Sequence, residues 1–269
     1  MAVTLRMLVS YEGTEISGFQ RQKGARSVQA DLEAAILAVT SQEVRLRAAG
    51  RTDAGVHAKG QVVASEVEKE WPLEKWPLAI NSALKPDIRV RAVLTGAPGF
   101  EPARQAAGKA YRYLIDPARV ADPLTRRVAY SHPRPLDLDA MREGAAALVG
   151  RYDFKALQAA GSSARTSERH IYRLAVEAEP SGLISITVAA DGFLYHMVRN
   201  IAGLLLAVGR DALRPVAIKG LIEGRDRSAL PPTAPAHGLC LMRVYYPEFL
   251  DTPRLSEVLS NYAPPWMGS

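Results

Sequence analysis

One cysteine, Cys240, stands in 269 residues. A lone thiol excludes an intramolecular disulfide and fits the reducing cytoplasm. It lies in the strand-like stretch "GLCLMRVYYP", where a thiol behaves as a small hydrophobe. Long apolar runs are missing too: none approaches the ~18 residues that span a membrane. The longest, "IAGLLLAVG" (201–209), reads as a buried helix. The start of the chain, "MAVTLRMLVSYEG", alternates and lacks the ordered basic, apolar and cleavage regions of a signal peptide. His57, His132, His170, His196 and His237 show no metal-ligand spacing with one another or with Cys240.

Lysine is scarce, 8 against 26 arginines, in a chain of net charge +6. Guanidinium forks suit phosphates and bases better than ammonium groups do, so this balance favours an anionic polymer as partner. A genome biased toward alanine and arginine codons would give the same excess. At 48% hydrophobic and 23% charged the composition is that of a soluble globular protein. The length supports one large domain or two modest ones.

The hydrophobic pattern gives the order βαββαβ in the first half. "VTLRMLVSY" alternates as a strand. "SVQADLEAAILAVT" is a helix capped by Ser27, with Asp31 in its first turn and Leu32, Ala35, Ile36 and Val39 as its apolar stripe. "VRLRAAG" and "QVVASEVE" are strands, "PLEKWPLAINSAL" is helical at least after Pro77, and "DIRVRAVL" is a strand. The second half repeats the order. "KAYRYLID" is a strand, and a helix spans 137–150, ended by Gly150. A hairpin turns at Pro180-Ser181-Gly182, "LYHMVRNIAGLLLAVG" is an apolar helix, and "GLCLMRVYYP" closes as a strand. The expected fold is therefore α+β: two ferredoxin-like halves, 1–104 and 105–247, with mainly antiparallel sheets meeting at a central active-site cleft. Residues 248–269 are expected to form a surface tail.

Asp53 stands in "GRTDAGVHAKGQVV", where a strand ends and a turn can hold a carboxylate outward. Asp-Ala-Gly alone is an ordinary turn. A turn does not need Arg51, Thr52 and His57 around the same carboxylate. "KAYRY" puts Tyr111 and Tyr113 on one strand face, as core aromatics or as a stacking surface. "DGFLYHMVRNIAGLLLAVGR" puts Arg199 and Asn200 in an apolar helix, and a buried arginine needs a partner. "PTAPAHGLCLMRVYYP" reads as a loop feeding a strand.

Together these stretches, with "YEGTEISGFQRQ" and "INSALKPDIRV", resemble the TruA-type tRNA pseudouridine synthases over nearly the whole chain to Pro247. The resemblance implies an enzyme that isomerises uridine to pseudouridine at positions 38 to 40 of the tRNA anticodon stem-loop. The uracil is detached from ribose, turned and rejoined through ring carbon 5. Nothing is oxidised, so no redox cofactor, nucleotide or metal is required. The family's catalytic aspartate falls on Asp53, and the arginine that helps expel the target nucleotide falls on Arg51. The tyrosine packing on the target uracil falls on Tyr111, and the arginine pairing with the aspartate falls on Arg199. Phe19 stands where the family usually has tryptophan, Arg104 is shifted by one position, and Asp191 and His196 receive no role. The resemblance further implies a homodimer in the cytoplasm. Two other readings remain: an RNA-binding module without catalysis, which would have no use for a paired Asp and Arg, and a metal-dependent phosphoesterase using Asp53 and His57, whose further ligands have no candidates.

Overall fold

The structure, a computed structural model, describes residues 2–68, 71–161 and 164–247, so the tail expected at 248–269 lies outside the described residues. Two compact units divide the chain: one runs up to Ala107 and takes in the chain again from Cys240, and the other spans Gly108–Leu239.

In the first unit, β1 (Val3–Tyr11) is flanked by two antiparallel neighbours. Its Leu5, Met7 and Val9 are fully buried. Helix α1 (Val28–Thr40) starts where Ser27 accepts the Ala30 N–H, and it buries Leu32, Ala35 and Ile36. Strand β2 is only Arg47–Ala48, antiparallel to β3 (His57–Val67). The longer strand expected over "VRLRAAG" does not form, because the Leu46 N–H turns away to the Glu33 carboxylate at 2.9 Å. Helix α2 (Lys75–Ser82), β4 (Ile88–Thr95) and the single turn α3 (Pro102–Gln105) follow. The closing strand of the chain (Leu239–Tyr245) lies parallel to β3, with Cys240 opposite His57 and Leu241 opposite Ala58.

In the second unit, β5 (Gly108–Asp116) carries the short parallel strand β6 (Tyr130–Ser131) on one side. Helix α4 (Leu138–Ala146) is capped by Asp137, which accepts the N–H groups of Asp139 and Ala140. It ends four residues before Gly150. Tightened bonds from Leu148 to Ala145 and from Val149 to Ala146 close it, and Gly150, at φ 124°, opens β7 (Gly150–Asp153) instead. Strands β8 (Glu168–Ala178) and β9 (Ile184–Ala190) form the expected hairpin, its turn closed by Glu179 and Gly182. The antiparallel order is β5-β9-β8-β7. Helix α5 (Met197–Gly209) is almost wholly buried, α6 (Ala217–Glu223) follows, and the closing strand becomes β10. The strand pairs within each unit are thus mainly antiparallel and layered with helices, an α+β architecture. Among the described residues no helix is long and apolar enough to cross a membrane.

The start of α5 differs from the sequence expectation. Residues 194–196 form a turn, and His196 adopts a left-handed conformation (φ 60°) just before the helix. Arg199 therefore sits in the first helical turn, partly exposed at the helix mouth.

Candidate active site

Asp53 occupies the loop between β2 and β3, partly exposed, with Arg51 exposed beside it. What fixes this loop is the segment after β1. The Phe19 N–H donates to the Thr52 carbonyl at 3.0 Å, and the Gly55 N–H donates to the Ile16 carbonyl at 3.3 Å. Glycines let the two backbones meet. A Cβ on Gly13 would lie 2.1 Å from the Val56 carbonyl oxygen, and one on Gly18 would lie 2.7 Å from that of Thr52. The Val56 N–H closes the turn on the Asp53 carbonyl at 3.2 Å.

Beneath Asp53, Thr52 points inward. Its buried hydroxyl meets the Tyr11 hydroxyl at 2.8 Å. Burial pushes the Tyr11 phenol well above its ordinary range, so it stays protonated. Gln61 reaches the same phenol at 3.4 Å and donates to the Gly50 carbonyl at 2.8 Å. His57, which a metal reading would pair with Asp53, is buried in β3, and its Nδ1 accepts the Gly13 N–H at 2.9 Å. That bond puts the ring into the same clamp. The segment 12–27 is itself anchored: Arg26 grips Asp87 with two bonds of 2.6 and 2.7 Å and Asp31 with a third of 2.7 Å. The Arg26 bonds hold the Asp87 carboxyl below the usual carboxylate range.

The other two candidates lie in the second unit. Tyr111 on β5 is 8% exposed and meets Phe193 edge to face, 5.1 Å between ring centres. Tyr113 shares its strand face but is fully buried, donating to the Pro235 carbonyl at 2.9 Å. It is a core tyrosine, which separates the two residues that the alternation left equivalent.

Arg199 is held by the "PTAPAHG" loop. Its Nε donates to the Ala234 carbonyl at 2.8 Å, while the Ala234 N–H donates to the Arg199 carbonyl at 3.1 Å. Its NH1 meets the His196 ring at 3.4 Å. The loop can lie on α5 because Gly203 leaves room: a Cβ there would stand 2.2 Å from the Pro232 carbonyl oxygen.

Asn200, next to Arg199, is buried and fully engaged. It donates to the Leu157 carbonyl at 2.8 Å and accepts from Thr233 at 2.6 Å and Arg227 at 3.1 Å. It ties the helix mouth to the loop that orients Arg199. Its presence in an apolar helix was the available signal, since a buried amide needs partners. Arg104 is exposed at the end of α3. Asp191 accepts the His170 N–H at 2.9 Å and so fastens β8 to the turn after β9.

A family model described as tRNA pseudouridine synthase matches residues 7–96 and 145–247. The tRNA pseudouridine synthase A of Moorella thermoacetica is 43% identical over 244 residues, covering 90% of this chain and 99% of the relative. That of Syntrophomonas wolfei is 42% identical over 244 residues, covering 91% and 98%. That of Bacillus pumilus is 41% identical over 244 residues, covering 90% and 98%. The matched ranges contain the Asp53 loop, Phe193, Arg199, Asn200 and the loop that holds them.

Proposed function

The chain belongs to the tRNA pseudouridine synthase family, and from that premise we propose that it isomerises uridines of the tRNA anticodon stem-loop, at positions 38 to 40, with Asp53 as its essential carboxylate. The family converts uridine to pseudouridine. The bond between ring nitrogen 1 and the sugar's anomeric carbon breaks. The uracil turns, carbon 5 bonds to the same sugar carbon, and the proton on carbon 5 is lost as nitrogen 1 gains one. The atom count of the RNA does not change. An ionised carboxylate on the sugar or base serves as nucleophile or base in this sequence.

The observation that carries the reading is the way the Asp53 loop is built. A partly exposed carboxylate rides on a backbone clamped by Phe19, Ile16 and the buried Thr52–Tyr11 pair, so its position is set before substrate arrives. Arg51, exposed in the same loop, is the cation that helps expel the target nucleotide. Tyr111 offers its ring to the extruded uracil, offsetting a few kcal/mol of lost stacking. Arg199, aimed by Ala234, is the cation that pairs with Asp53. The same resemblance supplies the rest of the proposal: two ferredoxin-like halves with a central cleft, no cofactor or metal in the chemistry, and a cytoplasmic homodimer that shares each tRNA.

The test is pseudouridine formation in a uridine-labelled tRNA transcript by the wild-type protein and by Asp53→Asn. The amide keeps the shape of the carboxylate, so tRNA affinity should hold while turnover is abolished. Turnover within ~10-fold of wild type would remove Asp53 from the chemistry, since losing the reacting group costs several kcal/mol of barrier.

A further inference from the structure

Side chains on one face of β5 run Ile115, Tyr113, Tyr111, Lys109. The first two are fully buried and the third nearly so, and then the row ends in a cation. Opposite them stand Ile184, Ile186, Val188 and Ala190 of β9, and Ala190 pairs in turn with Ile171 of β8. Arg169, two residues before Ile171, emerges on that same face. Its guanidinium crosses Gly192: a Cβ there would lie 3.3 Å from Arg169 Nε. The next residue, Phe193, stands edge-on to Tyr111. Lys109, Arg169 and Tyr111 therefore share one rim of the sheet.

Among the described residues neither charge there has a counter-ion. Arg169 NH1 donates to neutral acceptors, the Thr166 carbonyl at 3.0 Å, the Thr166 hydroxyl at 3.3 Å and the Glu168 carbonyl. Among the described residues no carboxylate pairs with Lys109 or Arg169. The nearby Asp191 is committed to the His170 N–H and, at 3.9 Å, to Arg151. Burial, and after it the Arg169 charge, hold the Lys109 ammonium below its ordinary range. Two like charges, one of them desolvated, are an unfavourable pair that a bound anion would relieve.

We infer that Lys109 and Arg169 form a subsite for one backbone phosphodiester of the RNA, next to the nucleotide whose base stacks on Tyr111. The inference rests on the reading of the chain as a tRNA pseudouridine synthase. An RNA strand that delivers a base to Tyr111 carries its backbone past the end of the β5 row, where the paired cations stand. The planar fork of Arg169 and the point charge of Lys109 suit two oxygens of one phosphate.

The experiment measures binding and modification of an anticodon stem-loop RNA by wild type, Lys109→Gln and Arg169→Gln over a salt series. Parallel RNAs carry one neutral methylphosphonate linkage, placed 5′ or 3′ of the target uridine. Each variant should lower the slope of log affinity against log salt, and the double variant should lower it by about 0.7–0.9, the contribution of one phosphate contact. One of the two neutral linkages should weaken wild-type binding more than it weakens Lys109→Gln binding. Thermal melting of each variant should match or exceed wild type, because a like-charge pair is removed. An unchanged salt slope in both variants overturns the subsite, as does an equal loss from both neutral linkages in wild type and Lys109→Gln. A weakened variant with a lowered melting temperature overturns it too, assigning the lysine a structural role. Wild-type protein that leaves the RNA unmodified overturns the synthase reading itself, which separates the two failures.

Discussion

Thr52 and Tyr11 join the loop that bears Asp53 to the core of the first unit, and that join can be cut from either side. Thr52→Val replaces a hydroxyl by a methyl and leaves the Tyr11 phenol with only the 3.4 Å contact to Gln61. Tyr11→Phe leaves the buried Thr52 hydroxyl without the partner that stood 2.8 Å away. Orphaning a buried hydroxyl costs ~1–3 kcal/mol, so each single variant should lose stability of that order. The double variant removes both hydroxyls and orphans neither, because Gln61 keeps its 2.8 Å bond to the Gly50 carbonyl. Its loss should therefore be close to one single loss and well short of two, a coupling of ~1–2 kcal/mol. Guanidinium denaturation at constant slope gives the three stabilities. Turnover should report the same join differently. With Thr52 unanchored, the neighbouring Asp53 wanders, and kcat should fall about 10- to 100-fold with tRNA affinity retained. Additive losses, agreeing within ~0.5 kcal/mol, would show that the two hydroxyls do not act together. A destabilised Thr52→Val protein with wild-type kcat would show that the clamp does not position Asp53.

Tyr111→Ala should lose more activity than Tyr111→Phe, because phenylalanine keeps a π-face worth ~1–3 kcal/mol per stacked base; equal losses would make the hydroxyl the working part. Asn200→Ala should destabilise the second unit by ~1–3 kcal/mol, because it takes the donor from the Leu157 carbonyl and the acceptor from the Thr233 hydroxyl while Arg227 keeps its bonds to Thr233, Leu230 and Pro231, and a melting temperature near wild type would refute the tie. Burial raises the Tyr113 phenol far above its ordinary value of ~10, so its contribution to stability is complete below that pH and is lost as pH rises above it. Denaturation midpoints measured from pH 8 upward should thus fall more steeply for wild type than for Tyr113→Phe; parallel curves would refute the assignment.

Local features were legible in the sequence where their cause is local. Ser27 caps α1 as its side chain demands, and Pro180-Ser181-Gly182 turns the hairpin between β8 and β9. The same holds for Tyr111 and Tyr113, placed on one face by strand alternation. Expectations failed where a distant group or a rare backbone state decides. β2 is cut short by the carboxylate of Glu33, thirteen residues before Leu46. The start of α5 is set by a histidine in a left-handed conformation, a state that bulky side chains rarely signal. Gly150 had the right chemistry for a helix end, yet the helix closed earlier through its own tightened bonds, and the glycine served the next strand.

The candidate site was legible as a set of motifs, but the reason for their pairing was not, because it lies in backbone approach and not in side-chain pattern. "YEGTEISGFQ" and "GRTDAGVHA" look independent in the sequence. In the structure Gly13 and Gly18 admit the carbonyls of Val56 and Thr52, so the first motif is the mould of the second. "RNIAG" and "PTAPAHG" repeat this relation in the second unit, where Gly203 admits the Pro232 carbonyl and the loop above it then aims Arg199 through Ala234. A side chain held by backbone hydrogen bonds on both sides has few rotamers to explore, which suits a reaction that detaches a base and must return it to the same sugar. Substituting alanine at Gly18 or Gly203 would touch no charged group, yet it would push a carbonyl away and move the loop bearing Asp53 or the loop orienting Arg199. The glycines of these motifs therefore belong to the site as fully as its charged residues do.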